Sequence, residues 1–89
     1  MDLICDVREN VMMKVYADGV LLFNEMIHKG KEESWLAKEG FDVRVARPRM
    51  VELSLDGKPV REFKGRDPVN LAIDKGGEVM VYKGKMRSE

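Results

Sequence analysis

Residues 11–27 read VMMKVYADGVLLFNEMI, and this stretch decides the predicted fold. Apolar side chains recur at alternate positions before and after the dipeptide Asp18-Gly19. Alternation with a period of two is typical of a β-strand with one buried face, and Asp-Gly between two such runs is typical of a hairpin turn. The stretch therefore predicts two antiparallel strands, 11–17 and 20–27.

The register of this hairpin is predicted from its apolar face. A two-residue turn would mix apolar and polar side chains on both faces of the hairpin. A three-residue loop over 17–19, with its glycine in the left-handed region as part of a β-bulge, avoids this mixing. The pairs are then Val15–Leu21 and Met13–Phe23. Because a slip of one residue moves every side chain to the other face, we expect the register with a single apolar face.

A second hairpin is predicted at Asp56-Gly57, with a tighter turn. A two-residue turn there sets Leu53 opposite Val60, which keeps apolar side chains together on one face. Proline has no amide hydrogen to donate, so Pro59 must then lie at a position where the ladder needs no donor.

The rest of the chain repeats this pattern, with turn residues about every ten positions. Short alternating runs at such spacing are typical of an all-β sandwich or barrel. Residues 24–38 could instead be drawn as a helix, but Gly30 in its middle would destabilise one by about 1 kcal/mol, so we expect two strands there. Besides the two strands above, the predicted strands are 2–8, 33–38, 41–46, 50–55, 59–63, 69–74 and 78–83.

The predicted fold is a single all-β domain over residues 1–89, a small antiparallel β-sandwich of the immunoglobulin-like type. It has seven to nine short strands joined by tight turns, and the tail 83–89 is expected to fray. With 89 residues the chain can bury one modest core, which leaves no room for a deep cavity around a large cofactor.

Composition excludes several classes of protein. Sixteen Lys and Arg residues balance sixteen Asp and Glu residues, so the net charge is zero and binding of nucleic acid through bulk positive charge is not expected. No window approaches the eighteen or so apolar residues of a membrane-spanning helix. The segment Met1–Asn10 has neither the basic nor the apolar region of a signal peptide.

Few residues could support catalysis or bind a metal. Cys5, the single cysteine, falls on the apolar side of a predicted strand, where a thiol behaves as a small inert hydrophobic group. His28, the single histidine, lies beside a predicted turn, where solvent exposure is expected. We therefore predict no catalytic residue, no metal site and no cofactor, and expect that the protein is not an enzyme.

Trp35 alternates with Ala37 and is predicted to anchor the core rather than to bind a ligand.

One group of basic residues could bind an anion or a glycan. The candidate residues are Arg44, Arg47, Arg49 and Arg61. Acidic residues such as Glu52 and Glu62 are interleaved with them, so a solvated face of mixed charge is favoured and anion binding is kept as the alternative function.

A second candidate surface is the outward face of the first hairpin. The bulged register sends Met12, Tyr16 and Leu22 to this face, and three sizeable apolar side chains there indicate either a docking site or a surface covered by another part of the chain. The segment 61–75 is the expected intrachain cover. If a partner docks instead, we predict that Met12, Tyr16 and Leu22 contact it.

The ordered pattern of residues 3–60 resembles the C-terminal extracytoplasmic domain of RodZ-type bacterial cell-shape proteins. A strand ending in Asp18-Gly19, the Trp35-x-Ala37 motif and an alternating strand ending in Asp56-Gly57 carry this resemblance. The other matching positions are Val15, Phe23, Ile27, Gly30, Val43, Val45, Val51, Leu53 and Leu55. Met12 stands where the family usually has a tryptophan, Ala46-Arg47-Pro48 replaces a Gly-Asn-Ala corner, and Asp56-Gly57 replaces the closing Asn-Gly.

The resemblance implies a non-enzymatic protein-interaction domain cut from a longer, membrane-anchored parent protein. In that family a cytoplasmic helix-turn-helix domain contacts the actin-like cytoskeleton, and a transmembrane helix and linker lead to the β-domain outside. The implied partners are envelope or cell-shape proteins, and this domain is expected to bind no nucleic acid. It would reach the membrane only through the other parts of the parent protein. A weak homodimer is a further expectation. The implied location is the extracytoplasmic side of a bacterial membrane; a free-standing gene would instead indicate a cytoplasmic domain.

Overall fold

The structure is a computed structural model that describes residues 1–89. It contains nine strands and one short 3₁₀ turn, Pro48–Met50, in the order of the chain. The strands are β1 Asp2–Val7, β2 Val11–Ala17, β3 Val20–Ile27, β4 Glu32–Leu36, β5 Phe41–Val45, β6 Val51–Leu55, β7 Lys58–Pro59, β8 Val69–Ile73 and β9 Val79–Tyr82. Eight of the nine predicted strands are present, the ninth, 59–63, overlaps β7 only at Pro59, and residues 24–38 form no helix.

The strands form two antiparallel sheets that pack face to face as a β-sandwich, which confirms the predicted fold class. One sheet has the order β4-β1-β6-β7, and the other has the order β3-β2-β5-β8-β9. Their inner faces contribute the alternating apolar residues of one core. Fully buried examples from the two sheets are Leu3 of β1, Val15 of β2 and Leu71 of β8.

Trp35 and Ala37 are both buried in this core, as predicted. The Trp35 ring meets the ring of Phe23 edge to face, with the ring centres 5.3 Å apart, so an aromatic contact joins β4 of one sheet to β3 of the other.

The predicted register of the first hairpin is wrong. Asp18 and Gly19 have φ values of 52° and 78°, so they form a two-residue type I′ turn that pairs Ala17 with Val20. The bulge lies beyond the turn, where Leu22 is the extra residue of β3. The pairs that follow are Tyr16–Leu21, Val15–Phe23 and Met13–Glu25.

The physical reason is that β3 is an edge strand whose side chains are mostly exposed. A register is strongly specified only where one face of both strands is buried. The position of this turn is instead supported by Asp18, whose carboxylate accepts hydrogen bonds from the backbone N–H groups of Lys38, Glu39 and Gly40 at 2.9, 2.6 and 3.1 Å.

The second hairpin has the predicted geometry. Asp56 and Gly57 have φ values of 51° and 81°, and the two-residue turn pairs Ser54 with Pro59. The amide of Val60 donates to the carbonyl of Leu53 at 2.8 Å, which brings these two residues opposite each other as predicted. The predicted strand 59–63 is wrong beyond Pro59, because the ladder between β6 and β7 ends at the pair Ser54–Pro59.

The C-terminal residues lie against the outer face of the five-stranded sheet, where the sequence predicts a frayed tail. Met86 is buried, and the carbonyl of Gly84 accepts hydrogen bonds from Arg44 and from the fully buried Asn70. Arg87 and Ser88 both donate to the carboxylate of Asp42. These hydrogen bonds hold the tail against the sheet. Alternation of apolar residues alone does not reveal such contacts, so the sequence did not predict them.

The structure contains no helix with the length and apolar character needed to cross a membrane.

Candidate functional site

Cys5 and His28 lie in the environments predicted from the sequence. Cys5 is fully buried on β1, and its sulfur lies 3.3 Å from the sulfur of Met13. Burial, with smaller contributions from the charges of Asp6 and Glu33, raises the pKa of the Cys5 thiol to about 12, so the reactive thiolate is not formed at neutral pH. His28 is exposed, and its carbonyl accepts the amide of Lys31 in the turn after β3.

Three carboxylates form a row across the outer face of the four-stranded sheet. Asp6 of β1 lies opposite Glu32 of β4 on one side and Glu52 of β6 on the other. A hydrogen bond with the Asp6 side chain, together with its like charge, raises the pKa of Glu32. Arg8 neutralises the other end of the row through a 2.6 Å ion pair with Glu52. The structure contains no group of three or more His, Cys, Asp or Glu side chains placed to hold a metal ion.

The four candidate arginines do not form one surface. Arg44 lies on the outer face of the five-stranded sheet, where it donates to Asn70 at 3.0 Å and to the tail. Arg49 and Arg61 line a groove of about 440 Å³ beside the four-stranded sheet, and Arg47 shares a smaller groove of about 300 Å³ with Arg49. The larger groove is also lined by Asp6, Glu52 and Glu62, so its charge is mixed.

Most of the exposed large hydrophobic side chains of the molecule lie on the first hairpin. Seven large hydrophobic side chains are exposed, and five of them belong to β2 and β3. We call these five residues the hairpin patch: Met12, Val20, Leu21, Leu22 and Met26. Their exposed fractions range from 42% to 60%, and a concentration of apolar surface of this kind marks interaction sites on monomeric proteins.

Two of the three residues predicted for docking, Met12 and Leu22, belong to the hairpin patch. Tyr16 lies beside them and is half-buried, with the ammonium group of Lys14 5.7 Å from the centre of its ring. Sequence reasoning missed Val20, Leu21 and Met26. The predicted register places Leu21 in the core, whereas the observed type I′ turn sets it opposite Tyr16 on the outer face.

The intrachain cover expected from residues 61–75 is not observed. Within that segment, β8 lies on the far side of β5 from β2, and Met12 and Leu22 remain exposed. The segment that approaches the hairpin is the C-terminal tail, whose Glu89 accepts a 2.9 Å hydrogen bond from Lys14. This contact raises the pKa of Lys14 and lowers that of Glu89, and it leaves the hairpin patch open.

One comparison with known proteins identifies a family. The family model described as "RodZ C-terminal domain" matches residues 6–61, which is more than half of the chain. The match includes β2 to β6, and therefore both hairpin turns and the hairpin patch. Comparison with the curated proteins and with the solved structures gives no significant match.

Proposed function

This chain belongs to the RodZ C-terminal domain family, and from that premise we propose that it is a non-enzymatic protein-interaction module of a bacterial cell-shape system. The family supports the role in cell shape. The observation that supports an interaction role is the hairpin patch, because small domains seldom leave five large apolar side chains of one hairpin exposed.

We propose that the partners are envelope or cell-shape proteins and that the domain works on the extracytoplasmic side of a bacterial membrane, as part of a membrane-anchored protein. The support for both statements is the family. An upstream reading frame that encodes a helix-turn-helix domain and an apolar span of about twenty residues would agree with this location. A free-standing gene would point to the cytoplasm instead.

The anion-binding alternative has no comparable support. Arg44 is separated from the other candidate arginines and is already hydrogen-bonded to Asn70 and Gly84. The groove beside Arg49 and Arg61 contains carboxylates, which would repel an anion or an acidic glycan. We therefore propose protein binding alone.

The test replaces two residues of the hairpin patch in the parent gene. The double variant Met12→Ser/Leu22→Ser removes exposed apolar surface, so its Tm should stay close to that of the unchanged chain, as is usual for surface substitutions. The matched control is Leu36→Ser, which removes an even more exposed leucine from the outer face of β4. We expect the double variant to lose normal cell shape while the control keeps it.

Two results would contradict the proposal. One is a normal cell shape in the double variant at normal protein levels, measured by microscopy and immunoblotting. The other is a loss of shape in both variants to the same degree, which would show that the effect does not belong to the hairpin patch.

A further inference from the structure

The sandwich has four edge strands, and one of them is open to pairing. β7 has two residues and ends in Pro59, β9 has four residues, and β4 has five, two of which are glutamates. β3 has eight residues, one of them a glutamate, and contains no proline, lysine or arginine. Its bulge at Leu22 lies near the turn, and residues 23–27 beyond it pair regularly with β2. Proteins normally protect an edge by shortness, proline or charge, because its free backbone groups form a template for another strand.

The hydrogen bonds of the neighbouring strand show which backbone groups of β3 are free. The carbonyl of Met12 accepts the amide of Ala46, which follows β5, at 3.1 Å. Met12 therefore uses its carbonyl on the β5 side, and its partner Met26 occupies a non-hydrogen-bonded position of the β2–β3 pair. The N–H and C=O groups of Met26 then point away from β2, as do those of Asn24 two residues earlier. No hydrogen bond outside the ladder uses a backbone group of residues 20–27.

Two carboxylates lie on the inner side of this open edge. Glu25 of β3 is opposite the buried Met13, so it shares the inner face of its sheet although it is exposed. Glu33 of β4 is opposite the buried Cys5 on the inner face of the other sheet. Neither forms a salt bridge in this chain. The contact between Phe23 and Trp35 places β3 and β4 along the same side of the sandwich, so both carboxylates border the seam between the sheets.

We infer that β3 accepts an additional strand from another protein, and that this strand carries a lysine or arginine facing the seam and apolar side chains facing the outer side. This inference rests on the proposed interaction role and specifies how the hairpin patch is used. The free groups at Asn24 and Met26 would supply backbone hydrogen bonds. Glu25 and Glu33 favour a cation on one side of the strand, and Met12, Leu21 and Met26 favour apolar residues on the other.

A second copy of this chain fits the edge less well. Pairing of β3 with its own copy would bring a second Glu25 to the seam, and β3 contains no basic residue to balance it. Like charges placed on neighbouring strands destabilise their pairing. The unpaired carboxylates therefore favour a basic strand from a different protein over a homodimer.

The test uses synthetic octapeptides in which valine and threonine alternate. One peptide carries a lysine at a central threonine position, and the matched control carries a glutamate there. We expect the lysine peptide to bind about tenfold more tightly than the glutamate peptide. A lysine at that position attracts Glu25 and Glu33, whereas a glutamate repels both. In NMR spectra its binding should shift the signals of β3 and β4 and slow hydrogen exchange of the Asn24 and Met26 amides.

Two variants of the protein test the two parts of the inference. Met26→Pro removes a free amide that the β2–β3 ladder does not use, so the fold should remain and peptide binding should be lost. Glu25→Gln/Glu33→Gln keeps the backbone template and should abolish the preference for the lysine peptide. Leu36→Ser again serves as the control and should leave both properties unchanged.

Three results would overturn the inference: equal binding of the two peptides, unchanged binding by Met26→Pro, or a homodimer in analytical ultracentrifugation that Met26→Pro dissociates. The proposed function would fail separately. If Met12→Ser/Leu22→Ser disturbs cell shape and Met26→Pro does not, the interaction role stands and strand addition is wrong.

Discussion

The two Asp-Gly hairpins have the same type of turn, but their second strands differ in length and in the edge that they form. In both, the aspartate and the glycine have positive φ values in a two-residue type I′ turn. The first turn leads into β3, which continues for eight residues along an open edge, and the second leads into β7, which ends after two residues at Pro59. The dipeptide therefore determines the turn, while the residues that follow determine whether an edge is offered or closed.

The largest expected loss of stability comes from core substitutions in the first strands of the two hairpins, β2 and β6. The two hairpins should respond alike. Met13 of β2 and Leu53 of β6 are both buried in the shared core. We expect Met13→Ala and Leu53→Ala each to lower the free energy of unfolding by about 2–5 kcal/mol, because each leaves a cavity. Urea unfolding followed by circular dichroism measures both. A loss below about 1 kcal/mol for only one of them would show that its hairpin is not part of the common core.

The next largest loss of stability should come from replacing the turn glycines, and it should be the same in both turns. Gly19 and Gly57 have φ values of +78° and +81°, and a Cβ atom added to either would touch nothing within 4 Å. Replacement by alanine then costs only the left-handed backbone conformation, about 1–2 kcal/mol in each case. Matched unfolding curves of Gly19→Ala and Gly57→Ala test this equivalence, and a large difference between them would mean that one turn changes type.

The smallest expected effect is a difference in stability between variants of the two turn aspartates. The Asp18 carboxylate accepts three backbone N–H groups, whereas that of Asp56 accepts one, from Asp2 at 2.7 Å. These hydrogen bonds hold the pKa of Asp18 below its ordinary value of 3.8. We expect Asp18→Ala to lower the Tm at pH 7 more than Asp56→Ala does.

The pH dependence of this effect has a defined sign. Because the folded-state pKa of Asp18 is lowered, its stabilising contribution is complete above pH 3.8 and is lost as the pH falls through the lower, folded-state value. The difference in Tm between the unchanged chain and Asp18→Ala should therefore shrink over that range. A difference that stays constant from pH 7 to strongly acidic pH would contradict the assigned hydrogen bonds.

Sequence reasoning succeeded for strands that bury one face between the two sheets. The alternation of apolar residues located eight of the nine strands and placed Cys5 and Trp35 in the core, since burial of one face produces that pattern. It failed at β3 because an exposed edge strand imposes no apolar face on its register. The order of the motifs also indicated the family, which the match over residues 6–61 confirms.

The candidate surface was predicted only in part, for a related reason. The outward side of the hairpin identifies Met12 and Leu22, but the outward position of Leu21 depends on the register and the exposure of Val20 and Met26 on β3 lying at an edge. The position of the tail depends on long-range partners such as Asp42 and Asn70. Partners that lie far apart in the sequence leave no local signal.

The central place of β1 in its sheet also fixes an order of events in folding. β1 pairs with β4 on one side and with β6 on the other, so β1 stays unpaired on one side until Val51–Leu55 has emerged from the ribosome. The β2–β3 hairpin, by contrast, needs only neighbouring residues and can form early. Pairings between distant segments form slowly and expose apolar strands in the meantime. The four-stranded sheet is therefore completed only after the β2–β3 hairpin can form, and until then one edge of β1 is exposed to pairing with other chains.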